Sequence, residues 1–160
     1  MTGLLTIGAA SAVAAQCSAP AQLLARLNRE MTRLQKGGFI TCLCARIAAD
    51  GSVTLANAGH LAPYHNGNEL ELDSGLPLGI IGDVNYAEST VHLTPGDTVT
   101  FLSDGVVEAQ SPSGELFGFD RTRAMSTHSA EAIARAAQAH GQSDDITVLT
   151  LCFAEKAVPA

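Results

Sequence analysis

The chain has 160 residues, of which 46% are hydrophobic and 16% charged, and its net charge is −7. That length fits one compact core, and the acidic balance argues against a polynucleotide or an anionic membrane surface as partner. Aromatic residues make up 4% and Trp is absent, so base-stacking platforms and aromatic cages have little to build on.

Residues 1–16, MTGLLTIGAASAVAAQ, end in small residues like a secretory signal, but no Lys or Arg precedes Arg26, so the positive n-region is missing. The stretch is also too short to span a bilayer, and its alanines predict a buried helix. Ser18 and Pro20 read as the cap and first turn of a second helix. In it Leu23, Leu24, Leu27, Met31 and Leu34 recur at helical spacing, and Gly37-Gly38 ends the pattern.

From Phe39 the period changes. FITCLCARI and SVTLANAG are short apolar runs joined by Ala49-Asp50-Gly51, a hairpin signal. LAPYH and ELELD flank Asn66-Gly67, and YAESTVHL and DTVTFLS flank Pro95-Gly96, so each pair predicts a further hairpin. Residues 120–140 predict one or two helices, with Ser129 capping EAIARAAQAH. ITVLTLCF reads as a closing, continuously apolar strand, followed by a frayed tail over residues 154–160. Helices, then many strands, then helix and strand indicate an α+β fold rather than a repeat of parallel βαβ units.

The four cysteines, Cys17, Cys42, Cys44 and Cys152, lie in a chain large enough to fold without disulfides, which fits reduced thiols in the cytoplasm. Cys42 and Cys44 share one face of a strand, and no second Cys/His pair completes a zinc site; both read as buried packing groups.

The common nucleophile and phosphate motifs are absent: there is no G-x-S-x-G, no G-x-x-x-x-G-K-[ST] and no H-E-x-x-H. What remains is acidic. Asp104 follows the strand TVTFLS, and Asp144-Asp145 precede ITVLTL, so both carboxylate groups sit at strand ends. If those strands are neighbours, the carboxylates converge on a hard-oxygen site suited to Mg²⁺ or Mn²⁺. The same residues also have an ordinary structural reading, because Ser-Asp-Gly is turn chemistry and an Asp before a strand commonly bonds its own backbone. His60, His65, His92, His128 and His140 show no ligand spacing.

Taken in order, ANAGHLAPY at 56–64, GLPLGI at 75–80, the L-x-P-G-D turn at 93–97, FLSDGVVEA at 101–109, FGFDR at 117–121 and DDITVLTL at 144–151 resemble the SpoIIE/RsbU-type branch of the PPM, or type 2C, metal-dependent serine/threonine phosphatases. FIT at 39–41 also looks like that family, so the resemblance covers residues 1–153. It implies an α/β/β/α sandwich of two mostly antiparallel sheets flanked by helices. It also implies two ions, Mn²⁺ or Mg²⁺, that activate a water against a phosphoserine or phosphothreonine. On this resemblance Asp104 and Asp144 are ligands of one metal. Asp145 and Gly105 support or shape the site, while Gly59 and His60, in the NAGH motif, shape a loop, with a catalytic His60 as the lesser alternative.

Two earlier motifs of that family, a Gly-Asp pair and an Asp-x-Ser-Gly-x-Gly segment, are not found, so the resemblance implies a domain met without its N-terminal part. Half of the metal site is then missing, and the chain by itself is expected to be inactive or nearly so. The implied partner is a phosphorylated signalling protein, such as an anti-sigma-factor antagonist. Unpaired sheet edges would favour a homodimer, and a metal-poor binding or dimerisation module is the competing reading.

Overall fold

The structure is a computed structural model and describes residues 17–34 and 38–154. The Ala-rich stretch 1–16 and most of the tail fall outside the described residues. The described chain divides into two units, one within Met1–His60 plus Leu72–His92, the other within Leu61–Glu71 plus Leu93–Ala160.

The first unit is built on helix α1 (Pro20–Leu34), whose Leu24, Leu27 and Met31 form a buried stripe at helical spacing. The helix begins just after Ala19 rather than after a Ser18 cap. Its first turn is satisfied from far along the chain, where the Ala21 amide donates to the Glu88 carboxylate at 2.9 Å. The stripe packs on Ala56, Ala58, Leu78 and Tyr86. Strands β1 (Cys42–Ile47) and β2 (Ser52–Ala58) form the hairpin expected from Asp50-Gly51, in register from Cys42 opposite Ala58 to Ile47 opposite Val53. Gly51 takes φ +86°, and the Asp50 carboxylate accepts from the Ser52 amide and hydroxyl.

Cys42 and Cys44 pack partly buried beside the α1 core. Burial raises both thiol pKa values. For Cys44, with added repulsion from Cys42, Glu88 and Cys17, the value reaches about 11, so the thiols are protonated at neutral pH.

Asn28, on the buried face of α1, is fully buried yet fully engaged. Its carbonyl accepts from the Gly79 amide at 2.8 Å, and its NH₂ donates to the carbonyls of Ile81 at 2.6 Å and Gly82 at 3.1 Å. The 76–82 segment is therefore held to α1 by three bonds from one side chain.

The second unit holds β3 (Tyr64–His65), β4 (Asn68–Glu69), β7 (Thr98–Leu102) and β8 (Val148–Cys152), arranged β4-β3-β7-β8 and antiparallel throughout. The Asn66-Gly67 hairpin forms, with φ +48° and +84° at its turn, but its strands have only two residues each. The rest of ELELD leaves the sheet, and β5 (Ser74–Gly75) pairs in parallel with β2 in the first unit.

Helix α2 (Asp104–Val107) is a single turn that the sequence pattern did not signal, because its Ser-Asp-Gly start reads as a turn. Helices α3 (Gly118–Met125) and α4 (Ala130–His140) follow. The Ser129 hydroxyl caps α4 by accepting from the Ala132 amide, as expected. The unit's core joins Tyr64, Leu102, Val106, Val107, Phe117, Ile133 and Ala137.

Two expectations are corrected. YAESTVHL and DTVTFLS do not form a hairpin: β6 (Ser89–His92) pairs with β2, whereas β7 pairs with β3 and β8. Pro95-Gly96 is thus a turn between two sheets, fixed by Asp97, whose carboxylate accepts from the Thr94 amide and hydroxyl. Likewise β8 is not uniformly buried. Leu149 is exposed, whereas Val148 and Thr150 on either side of it are partly buried, so the two faces of the strand differ.

Asp97 also accepts from the Asn66 side-chain NH₂ at 2.7 Å and lies 3.4 Å from His65, so it ties the short hairpin to the start of β7. These bonds, led by the Thr94 amide, hold its carboxyl far below the usual range. A depressed carboxylate contributes stability that is present above its unfolded value, near 4, and lost as pH falls from there. Asp97→Asn should therefore flatten the acid limb of the stability curve below about pH 4. Urea unfolding at stepped pH checks this, and an unchanged acid limb refutes it.

Candidate metal centre

Strands β7 and β8 run antiparallel, and their register ends with Leu102 opposite Val148. The end of β7 therefore lies beside the start of β8, and the residues just beyond, Asp104 on one side and Asp144-Asp145 on the other, reach the same end of the sheet. The two strands are neighbours, the condition that the expected convergence of the carboxylates rests on.

Ser103 extends the ladder past the last strand pair. Its amide donates to the Thr147 carbonyl at 2.9 Å, its hydroxyl accepts from the Thr147 amide at 2.9 Å, and that hydroxyl donates to the Asp145 carbonyl at 3.1 Å. Sequence reasoning singled out the Asp of the Ser-Asp-Gly triplet and passed over this Ser, although it is the residue that locks the two segments together.

Gly105 is required for a different reason. A Cβ built on it would lie 2.3 Å from the Asp145 carbonyl oxygen, so only glycine lets α2 start this close to the 144–146 segment. Asp145 enters the centre through its backbone, and its side chain is exposed.

Asp104 occupies the first position of α2, exposed, above Gly105, Val106 and Val107, which are buried. One of its oxygens accepts from the Gly105 amide at 3.0 Å. One oxygen of Asp144 likewise accepts from the Asp145 amide at 2.7 Å, and the Asp144 carbonyl accepts from Gln142 at 3.1 Å. Each carboxylate is thus oriented through one oxygen, leaving the other without a protein hydrogen bond among the described residues. No ion pair among the described residues involves Asp104, Asp144 or Asp145.

The donor chemistry fits a hard divalent ion, and Asp104 and Asp144 are the residues that would hold it. No group of three or more His, Cys, Asp or Glu side chains able to hold a metal occurs among the described residues.

Gly59 and His60 belong to the other unit. Gly59 has φ +72°, and a Cβ there would lie 2.6 Å from the Pro77 ring. Asn57, which the sequence reading passed over, closes the loop with both ends of its amide: it accepts from the His60 amide and donates to the His60 carbonyl, each at 2.8 Å. The His60 ring lies 3.2 Å from the Thr41 hydroxyl.

A family model described as "Stage II sporulation protein E (SpoIIE)" matches residues 1–154. The phosphoserine phosphatase RsbU of Bacillus subtilis is 32% identical over 116 residues, covering 68% of this chain. The chain spans about a third, 35%, of RsbU's length. Among solved structures, the SiaA-PP2C domain of Pseudomonas aeruginosa superposes with a TM-score of 0.75 at 23% identity, over 94% of this chain and 68% of that one. The phosphatase domain of SpoIIE from Bacillus subtilis superposes with a TM-score of 0.57 at 20% identity, over 96% and 76%. These likenesses show the fold, two antiparallel-rich sheets with helices, as in PP2C phosphatase domains. No helix among the described residues is long and apolar enough to cross a membrane.

Proposed function

Because the chain belongs to the SpoIIE family of PP2C-type serine/threonine phosphatases, we propose that it supplies the Asp104/Asp144 half of a metal-dependent site that hydrolyses phosphoserine or phosphothreonine. What supports this reading is the Ser103 lock, which ties the segment before β8 to the end of β7, with one oxygen of Asp104 and one of Asp144 each accepting from a backbone amide. When bound, Mn²⁺ or Mg²⁺ supplies Lewis-acid activation of the attacking water and neutralises phosphate charge. Asp104 and Asp144 hold and orient the ion, Gly105 permits the close approach, and Asp145 supports the segment through its carbonyl. Gly59 and His60 shape the 57–60 loop. Residues 1–153 form part of the phosphatase domain and 154–160 a tail.

The substrate proposed is a phosphorylated protein of a bacterial signalling pathway, of the anti-sigma-factor-antagonist type, met in the cytoplasm. The curated relative's name, a phosphoserine phosphatase, supports this reading.

Two carboxylates and water hold a divalent ion weakly, so this chain alone is expected to be inactive or nearly so. The same weak hold favours a second reading, a module that binds the phosphoprotein without hydrolysing it. The deciding experiment is Mn²⁺-dependent hydrolysis of a phosphoserine peptide by this chain and by a version extended upstream. Activity confined to the extended form supports the proposal. Silence in both forms, with the peptide still bound, favours the binding module.

A further inference from the structure

Two thiols of the first unit share one cavity. Cys42 and Cys44 lie on the face of β1 that packs against the α1 core, as a strand's period of two requires. Alongside the later part of β1 runs the chain that enters α1. Between them lies an open cavity of about 150 Å³, lined by residues 17–20, Leu23 and residues 44–46. Cys17 stands on one wall and Cys44 on the other. Both are free thiols and both are partly exposed, so a small reagent entering the cavity meets two sulfurs.

The two differ in their surroundings. Cys17 precedes α1 by three residues, outside any helix or strand, and the Arg26 guanidinium donates to its sulfur at 3.6 Å. That cation meets the charge when the thiol ionises, which suits Cys17 to be the sulfur that reacts first. Cys44 is fixed within β1, opposite Ala56. Burial, with repulsion from Cys42, Glu88 and Cys17, lifts its thiol to about 11, so it keeps its proton until an electrophilic sulfur is brought to it.

Strand geometry excludes the other nearby pair. Cys42 and Cys44 are two residues apart on one strand, about 6.6 Å between Cα atoms with Cβ bonds pointing the same way, whereas a disulfide needs Cβ atoms about 3.5–4.5 Å apart. Cys17 is under no such restraint. Turning the irregular 17–19 backbone carries its sulfur across the cavity while α1 and β1 stay in place.

We propose that Cys17 and Cys44 form a redox pair that a hydroperoxide converts to a disulfide, stapling the entry of α1 to β1. The Cys17 thiolate attacks the terminal peroxide oxygen, the O–O bond breaks, and an alcohol, or water from hydrogen peroxide, leaves. The Cys44 sulfur then attacks the Cys17 sulfenic acid. The S–S bond forms, the S–O bond breaks, and water leaves with the Cys44 proton. The two thiols have then given two electrons and two protons to the peroxide, and dithiol reductants reverse the step. The bridge closes residues 17–44 into a loop, which restricts the unfolded chain and stabilises the first unit. It shares no residue with the metal centre and does not rest on the phosphatase reading.

The test treats the folded, reduced 160-residue chain with a small excess of hydrogen peroxide, blocks the remaining thiols and digests it without reductant. Mass spectrometry should show a Cys17–Cys44 cross-linked peptide, lighter than its two parts by two hydrogens and separated by dithiothreitol. Cys17→Ser and Cys44→Ser should each abolish it, and Cys42→Ser and Cys152→Ser should leave it, with circular dichroism showing that every variant is folded. The oxidised parent should melt several degrees above the reduced form, a difference that Cys44→Ser removes and Cys42→Ser keeps. Free thiols at both positions after treatment overturn the proposal. So does Cys17 carried to the sulfinic acid without a cross-link, or a bridge that runs to Cys42 or Cys152.

Discussion

Asp104→Asn is expected to lower Mn²⁺-dependent hydrolysis by an upstream-extended form of the chain by more than about 100-fold, since even residues behind a metal's direct ligands are worth roughly 10–100-fold. Stability should change little, because Asp104 is exposed and makes no ion pair among the described residues. The one protein bond lost in strength, from the Gly105 amide, is partly exposed and is kept by the Asn carbonyl. Thermal unfolding with and without Mn²⁺ separates the two effects. The parent is stabilised by the ion by an amount that grows with the logarithm of its concentration above Kd, whereas the variant starts about equal and gains nothing. A variant that keeps both activity and the Mn²⁺-dependent shift would remove Asp104 from the centre.

The second large effect is predicted for Gly105→Ala, which changes no charge. The added methyl would sit 2.3 Å from the Asp145 carbonyl oxygen, a backbone atom that cannot swing aside as a side chain does. Either α2 lifts from the 144–146 segment or the segment shifts and breaks the bond from Ser103 to Asp145. The cost is about 3 kcal/mol, in the range of overpacking in a rigid site. Activity in the extended form should fall with it, because both carboxylates are positioned by this contact. Gly82→Ala is the matched control: a Cβ there meets only the Thr32 side chain at 3.7 Å, an ordinary contact, and should cost less than about 1 kcal/mol. Equal destabilisation by the two substitutions would show that the close approach at Gly105 is not what the fold depends on.

The parts of the structure that could be read in the sequence are those whose cause is local. Asp50-Gly51 and Asn66-Gly67 adopt their turns because the φ values needed there suit Asn and Gly. Ser129 caps α4 through a bond spanning three residues, and the α1 stripe follows from helical period alone. That the strands before Asp104 and after Asp145 are neighbours was also accessible, since an antiparallel pair joins the end of one strand to the start of the next.

What escaped the sequence depends on partners far along the chain. Tyr86 to His92 and Asp97 to Ser103 alternate like a hairpin, but β6 matches β2, where Thr54 and Thr90 exchange a hydroxyl contact at 3.2 Å, and β7 matches β3 and β8. Glu88 completes the start of α1 from 67 residues away, and Asn28 answers amides and carbonyls more than 50 residues on. Ser103 and Asn57 escaped for a milder reason. Asn57 binds a residue three positions on, whereas Ser103 binds Asp145 and Thr147 more than 40 positions on, but a Ser or Asn near a strand end has many ordinary uses, and only the geometry distinguishes a lock from a solvated side chain.

The two units are interleaved along the chain, which has a consequence for how the protein is made. The chain leaves the first unit at His60, supplies an eleven-residue excursion, 61–71, to the second, and returns to the first until His92. No single cut separates the units, so neither can be produced as a contiguous fragment and joined to the other afterwards. On the ribosome, β6 emerges last among the strands of the first sheet, and β2 must wait for it. During that interval the hairpin of β3 and β4 is already outside while β7 and β8 are not, so a nascent chain whose emerged part ends near residue 92 should be a better chaperone substrate than one whose emerged part extends past residue 152.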